Sequence, residues 1–149
     1  MNDLGLREFY VKEKKLMSDE EKKERIDKFE DLIAWQKARE LTREVYQTSR
    51  RGAFAKDFGL SGQIQRASVS IMSNVAEGFE RGGRSEFHQF LSVAKASCAE
   101  VRSLLYVVLD IKYIDKTEFR KIMNMAEEVG RVVGGLRAAV EKQKKAQRE

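Results

Sequence analysis

The chain has 149 residues, of which 42% are hydrophobic and 36% charged, and it contains no proline. This length predicts one domain that buries a core without disulfides or metal, and the composition excludes a loop-rich β-sandwich and a Pro-rich linker. The formal net charge is +5.

The charge is unevenly distributed. Residues 1–31 carry eight Lys or Arg against ten Asp or Glu, a balance of −2, and residues 32–149 carry 21 against 14, a balance of +7. A basic body of this kind favours polyanions such as nucleic acid at moderate salt. An ordinary basic helical protein that binds no polyanion is equally compatible with this charge.

Cysteine content and hydropathy predict a soluble protein of the cytoplasm. The single cysteine, Cys98, cannot form an internal disulfide, which suits a reducing compartment. The first ten residues, MNDLGLREFY, contain no apolar run of the signal-peptide type. No stretch approaches the roughly 20 apolar residues of a membrane span, so no membrane partner is expected.

Residues 1–28 form a short, charged N-terminal extension, and we assign residues 29–149 to one bundle domain. The extension has little apolar periodicity. Ser18 followed by Glu21 is typical of a capping box, which predicts a short helix over about 19–28.

The first long helix is predicted over about 31–50, with Asp31 as its N-cap. Gly52 follows two arginines, as a helix C-terminus prefers. In the next segment, GAFAKDFG, we expect Phe54 and Phe58 to close the end of the core. The apolar stripe of this helix consists of Ala34, Ala38, Leu41, Val45 and Thr48, with Trp35 at its edge.

A second helix is predicted over about 60–79. Gly82 and Gly83 then break the chain, and Ser85 is the expected N-cap of the third helix. The stripe of the second helix consists of Leu60, Ile64, Ala67, Ile71, Val75 and Gly78.

The third helix, over about 86–110, has the clearest periodicity in the chain. A second column on it repeats every seven residues, at Phe90, Ser97, Leu104 and Ile111. The apolar face is therefore wide and predicts contact with more than one neighbour. The main column steps alternately by four and three residues through Phe87, Leu91, Ala94, Cys98, Val101, Leu105 and Val108.

Asp115 and Glu118 form a predicted capping box for a fourth helix. Gly130, Gly134 and Gly135 lie within that helix, where a glycine costs about 1 kcal/mol relative to alanine, so we expect them to allow close approach of a neighbouring backbone. Four amphipathic helices with short connections predict an all-α, antiparallel, up-down-up-down four-helix bundle. The fourth stripe consists of Phe119, Ile122, Ala126, Val129, Val133, Leu136 and Val140.

The segment QIQRASVSIMSNVAEG resembles the bacterial "four helix bundle protein" family, first noticed as reading frames within intervening sequences of large-subunit ribosomal RNA genes. The resemblance covers about 29–140, begins at FEDLIAWQKARELTREVY and fades in the fourth helix. The longer charged leader is a departure from the family. Family elements recur at Leu32, Trp35, Ala38, Gly59, Leu60, Gln63, Arg66, Ala67, Ser70, Ile71, Asn74, Ala76, Glu77, Gly78, Phe90, Ala94, Ser97 and Glu100.

This resemblance implies a cytoplasmic four-helix bundle that assembles as a ring, a homopentamer, with no established enzymatic activity. A similar fold serves as the accessory variability protein of diversity-generating retroelements, where a basic pentamer binds nucleic acid and a reverse transcriptase. The resemblance therefore implies self-association, with RNA or DNA and a reverse transcriptase as further partners.

Polar side chains flank the apolar stripes of the second and third helices. Buried polar groups must be hydrogen-bonded, or each costs a few kcal/mol. We hypothesise that Asn74, Glu77, Ser97 and Glu100 form a structural network between these helices or across a subunit contact. A ligand site at the same residues is the alternative.

Basic residues form a candidate nucleic-acid surface. Arginines on the first helix share a face with an interleaved tyrosine, an arrangement that suits phosphate contact and base stacking. The alternative is an ordinary solvated face with helix ion pairs. The candidate residues are Arg39, Arg43, Tyr46, Arg50, Arg66, Arg81, Arg84, Lys95 and Arg102.

No catalytic residue, metal site or cofactor is predicted. His88 is the only histidine, so catalytic triads and His-based metal sites lack their parts. Cys98 is interpreted as core. We expect a non-enzymatic, self-associating scaffold with a nucleic-acid-binding surface. The alternatives are a protein–protein adaptor, such as a reverse transcriptase accessory subunit, and an enzyme that uses Glu77 and Glu100.

Overall fold

The computed structural model describes residues 26–146 and 148. The helix predicted over 19–28 lies mostly outside these residues, and the three that are described, 26–28, are not helical. No strand occurs in the described part of the chain. A 3-10 turn, Phe29–Asp31, is followed by the helices α1 (Ile33–Ser49), α2 (Gly52–Lys56), α3 (Phe58–Arg81), α4 (Arg84–Asp110) and α5 (Lys116–Ala146).

The four long helices form the predicted antiparallel bundle. Helix α1 packs mainly against α3 and α5, and α4 packs against the same two helices. Helices α1 and α4 therefore lie at diagonally opposite corners. The fold prediction is confirmed, with the short α2 as an addition between the first two long helices.

The apolar stripes of the four long helices meet in one core. Leu41, Ile71, Phe87 and Ile122 come from four different helices, and each is at most 1% exposed. One turn of α-helix is 3.6 residues, so apolar residues spaced by three and four positions fall on one face of each helix and meet at the bundle axis.

One end of the core is closed by a single aromatic residue of α2. Phe54 is buried and stacks on Tyr113 with 5.3 Å between the ring centroids, as expected for a residue that closes the core. The same expectation for Phe58 is wrong: its side chain is 82% exposed. Phe58 begins α3, and its position there lies outside the stripe that turns inward.

The helix starts differ from the predicted N-caps. Asp31 lies in the 3-10 turn, and Leu32 occupies the N-cap of α1 without a side-chain hydrogen bond. Gly83, not Ser85, is the N-cap of α4. Backbone hydrogen bonds of the preceding turns therefore set these starts, which side-chain capping patterns do not reveal.

Two other caps use aspartates. The Asp57 Oδ1 atom accepts the Leu60 backbone N–H at 3.1 Å, which starts α3 two residues before the predicted position. The Asp115 Oδ1 atom accepts the Glu118 backbone N–H at 2.8 Å, so this half of the predicted capping box is confirmed.

Close helix packing occurs at Gly78 on α3. A Cβ atom added there would lie 2.6 Å from the Phe90 Cβ atom and 3.5 Å from the Phe87 Cα atom of α4. The close approach predicted for the α5 glycines is wrong within this chain. A Cβ at Gly134 would meet only the Lys95 side chain, at 3.8 Å, and one at Gly135 would meet nothing within 4 Å.

None of the helices among the described residues combines the length and the hydropathy that a membrane-spanning segment needs.

Candidate nucleic-acid interface

An open groove of about 720 Å³ lies between α4 and α5 on the outside of the bundle. Small residues of both helices line it, because Gly130 and Gly134 on α5 face Ala96 and Ala99 on α4. Glu127 is the one acidic residue among its lining residues. We call this feature the cationic groove, after its four basic lining residues Lys95, Arg102, Arg131 and Arg137.

Most of the positive charge in the groove is uncompensated. The side chains of Lys95, Arg102 and Arg131 make no hydrogen bond or ion pair within the described residues, although, together with the larger effect of Lys37, the charge of Arg131 contributes to lowering the pKa of Glu128. Only Arg137 is fixed: its Nε atom donates to the Ser92 Oγ atom at 2.7 Å, which holds the guanidinium against α4. Three basic side chains therefore remain without a hydrogen-bonded partner and are available to an anion.

Some basic residues elsewhere on the bundle have acidic partners. The Lys37 Nζ atom lies 2.7 Å from a Glu128 oxygen, and the Lys121 Nζ atom lies 3.0 Å from a Glu44 oxygen. Both pairs join α1 to α5. The hydrogen bond from Lys37 is also the main reason why the pKa of Glu128 is lowered.

The groove exists because its lining side chains are small. Gly130 and Gly134 are four residues apart and therefore share one face of α5. A Cβ at Gly130 would lie 3.8 Å from the Cys98 Cβ atom, which is ordinary contact. The glycines thus leave open space beside the basic side chains.

Cys98 lines the base of the groove but is not poised as a nucleophile. Its side chain is 2% exposed, and burial raises the pKa of the thiol to about 12, against a smaller opposite effect of Arg102. A thiol with this pKa carries almost no thiolate at neutral pH. Its interpretation as a core residue agrees with this environment.

The predicted basic residues of α1 lie on its outer face, at the corner diagonal to α4. Arg39 lies over the Trp35 ring at 5.7 Å, and Arg50 over the Tyr46 ring at 5.3 Å. Arg43 is exposed between them. This surface is separate from the cationic groove, which α4 and α5 form.

The remaining predicted basic residues are divided between α3 and α4. Arg66 is exposed on α3, and Arg84 begins α4. Arg81 is already engaged, because it pairs with Glu77 at 3.4 Å and lies 5.5 Å from the Phe90 ring centroid. Of the nine candidates, the structure places only Lys95 and Arg102 in the groove.

Sequence reasoning did not name Arg131 and Arg137. They lie in the helix where the family resemblance fades, beside glycines that were interpreted as packing positions. The available signal was the i,i+4 spacing of Gly130 and Gly134, which opens one face of α5 beside both arginines.

The structure joins two members of the hypothesised polar network through a third residue. Ser70 Oγ lies 2.9 Å from Ser97 Oγ, and the Asn74 Nδ2 atom donates to the Ser70 backbone oxygen at 2.7 Å and to its Oγ at 3.0 Å. The two carboxylates lie elsewhere: Glu100 accepts from Gln63 Nε2 at 3.4 Å, and Glu77 pairs with Arg81.

His88 lies 3.1 Å from a Glu141 oxygen, a contact that joins the start of α4 to the end of α5. No group of three or more His, Cys, Asp or Glu residues in the described ranges is placed to hold a metal ion.

Comparison with known proteins gives one family and one fold. The sequence profile of the 23S rRNA-intervening sequence protein matches residues 30–135. A similar solved structure is a protein with unknown function from the S23 ribosomal protein family of Bacteroides thetaiotaomicron VPI-5482, with a TM-score of 0.62 and 23% identity. The match covers 68% of this chain and 94% of that chain, and at this identity it shows the fold alone. None of the curated proteins matches this chain.

Proposed function

We propose that this chain, which belongs to the 23S rRNA-intervening sequence protein family, is a non-enzymatic cytoplasmic scaffold that self-associates and binds nucleic acid through its cationic groove. The observation that carries the proposal is the set of three unpaired basic side chains, Lys95, Arg102 and Arg131, around one open groove.

Phosphate binding follows from the charge of the groove. Basic groups that converge on one cleft raise the local concentration of anions, and each phosphate that they neutralise releases condensed counterions. Arg102 and Arg131 also present planar guanidinium groups that can form two parallel hydrogen bonds to one phosphate. The small residues between them let the backbone of a nucleic acid approach both helices.

Self-association strengthens weak binding by each copy. A ring of five copies, the number that the family resemblance implies, would carry five cationic grooves, and a long polyanion could reach more than one of them. Once one groove is occupied, binding at the next groove is intramolecular, so the overall affinity rises without a new kind of contact.

Salt dependence of binding tests this proposal. Single-stranded and duplex oligonucleotides of RNA and DNA are titrated with the wild type and with an Arg102→Gln, Arg131→Gln variant, at several salt concentrations. With oligonucleotides short enough to occupy one groove, removal of two phosphate contacts is expected to reduce the slope of log K against log salt by about two and to weaken all sequences alike.

The control removes the same charge elsewhere: Lys116→Gln with Lys142→Gln, two exposed residues of α5 outside the groove. The groove proposal is wrong if both double variants lose the same affinity, or if wild-type affinity does not depend on salt.

A protein–protein adaptor is the second candidate function, with a reverse transcriptase as the partner suggested by the family resemblance. Exposed apolar side chains on α4, among them Val93 and Ile111, favour protein contacts. Unchanged nucleic-acid affinity in the groove variant, together with retained binding of the enzyme, would support the adaptor.

A further inference from the structure

Helix α4 carries a second heptad-spaced column beside the one that faces the core. It extends from Phe90 to Ile111 in alternating steps of three and four residues, through Val93, Ser97, Glu100, Leu104 and Val107. We call this column the α4 seam. It extends over about 32 Å, since each helical residue adds about 1.5 Å.

Much of the α4 seam is open. Val93 is 50% exposed, and Val107 and Ile111 are each 45% exposed, although all three are large apolar residues. The seam touches α3 at Phe90, which lies against Gly78, and at Ser97, which meets Ser70. A 3.5-residue apolar repeat is the pattern by which one helix packs into another, so a further helix fits the open side.

The charge within the seam excludes one kind of partner. Glu100 lies at its centre and has only a 3.4 Å hydrogen bond from Gln63. If two α4 seams paired in full register, either parallel or antiparallel, their Glu100 carboxylates would lie against each other. Like charges in a desolvated contact are unfavourable, so the partner helix needs a basic residue opposite Glu100.

The outer face of α1 has the required properties. Arg39, Arg43, Tyr46 and Arg50 follow one another in steps of four, three and four residues. Arginine and tyrosine are enriched at the energetically important positions of protein interfaces, and the arginine stems cover apolar surface. The basic groups of this face are complementary to Glu100.

We infer that the α4 seam of one copy binds the outer face of α1 on a second copy of this chain. The inference rests on the proposed self-association and names the two surfaces that would carry it. Because α1 and α4 occupy opposite corners of the bundle, each copy can use both surfaces at once. Such head-to-tail contacts close into a ring when the rotation between copies allows it.

Each copy contributes one helix to one contact. Helix α1 has 17 residues and is therefore about 26 Å long, so a helix about 10 Å wide presents about 260 Å² of flat area to the seam. This is well below the roughly 800 Å² that each partner contributes to a standard interface, so a single contact is weak and the closed ring, in which every copy makes two contacts, stabilises the assembly.

The test is sedimentation of five forms at several concentrations, with helical circular dichroism as the check of folding. The forms are the wild type, Val107→Asp, Arg43→Glu, the double variant Arg43→Glu with Glu100→Arg, and the control Ala138→Asp. Ala138 is exposed on α5, outside both surfaces. Val107→Asp and Arg43→Glu are each expected to weaken association about tenfold or more.

The double variant exchanges the two charges and is expected to recover most of the association. A mixture of Val107→Asp and Arg43→Glu is expected to give one-to-one pairs, because each variant keeps the surface that the other lacks. Contact between identical surfaces would give no such pairs and would overturn the inference.

Other outcomes separate this inference from the proposed function. If the wild type stays monomeric at every concentration, both the inference and the proposed self-association are wrong. The nucleic-acid titrations then test the cationic groove independently. If Val107→Asp and Arg43→Glu associate as strongly as the wild type, self-association stands, but the assignment of its two surfaces is wrong. If Arg43→Glu weakens nucleic-acid binding and not association, α1 serves the nucleic acid and the inference is wrong.

Discussion

Substitution of Gly78 by alanine tests how closely α3 and α4 pack. In an exposed helix this change stabilises by about 1 kcal/mol, because alanine loses less conformational freedom than glycine. At Gly78 the new Cβ atom would lie 2.6 Å from the Phe90 Cβ and 3.3 Å from its Cγ. Unstrained carbon contacts lie at about 3.5–4.0 Å, so the first contact is about 1 Å too short.

The overlap cannot be relieved by a side-chain rotation. The Phe90 Cβ atom is attached directly to the backbone of α4, and the Phe87 Cα atom lies 3.5 Å from the same added Cβ. Helix α4 itself must move away from α3. Overpacking of this kind typically costs about 1–3 kcal/mol, which cancels or exceeds the gain in helix propensity.

Gly135→Ala supplies the matched control, because Gly135 also lies within a long helix and an added Cβ there would meet nothing within 4 Å. Thermal unfolding, followed by circular dichroism at one protein concentration, compares the two variants. Gly78→Ala is expected to have a free energy of unfolding about 1–3 kcal/mol lower than that of Gly135→Ala. For a chain of this length, this difference lowers the Tm by an amount on the order of 2 to 12 °C. Equal Tm values would refute the close packing at Gly78.

Three further predictions concern single contacts. Burial raises the pKa of the Cys98 thiol from 9.0 to about 12, so the contribution of the protonated thiol to the free energy of unfolding is complete below pH 9 and is lost as the pH rises to 12. In urea unfolding, the free energy of unfolding of Cys98→Ala should therefore fall less between pH 9 and pH 12 than that of the wild type. The hydrogen bond from Lys37 lowers the pKa of Glu128. The pair therefore stabilises the folded protein at pH values above the ordinary glutamate pKa, and this stabilisation is lost as the pH falls and Glu128 is protonated. Lys37→Gln should therefore be less stable than the wild type by under about 1 kcal/mol at pH 7, with no difference at low pH. Ser70→Ala and Ser97→Ala should each cost about 1 kcal/mol, whereas the double variant should cost less than their sum, because neither hydroxyl is then left without the other.

The long helices could be predicted because their apolar spacing fixes both their type and their buried face. The N-caps of the helices are harder to predict than the helices themselves. Leu32 and Gly83 carry no side-chain capping signal, and the role of Asp57 depends on where α3 begins. The short helix α2 is not predicted from the sequence, because five residues are too few to show a helical period.

The groove could be predicted only in part, because a sequence gives the faces of each helix but not which faces meet across two helices. Lys95 and Arg102 were recognised as basic, and Arg131 and Arg137 became relevant only once α5 lay beside α4. For the same reason, the hypothesised polar network groups Asn74 with Glu77 and Glu100, whereas the folded chain connects Asn74 to Ser97 through Ser70.

The position of Glu100 relative to Arg102 explains why association and nucleic-acid binding can be tested separately. The two residues are two positions apart on α4, which places their side chains about 200° apart around the helix axis. Glu100 lies toward α3, where Gln63 contacts it, and Arg102 lies toward α5, where it lines the cationic groove. At physiological salt, exposed charges interact weakly beyond about 8 Å. A charge reversal at Glu100 should therefore change contacts between copies while the salt dependence of phosphate binding by each groove stays the same.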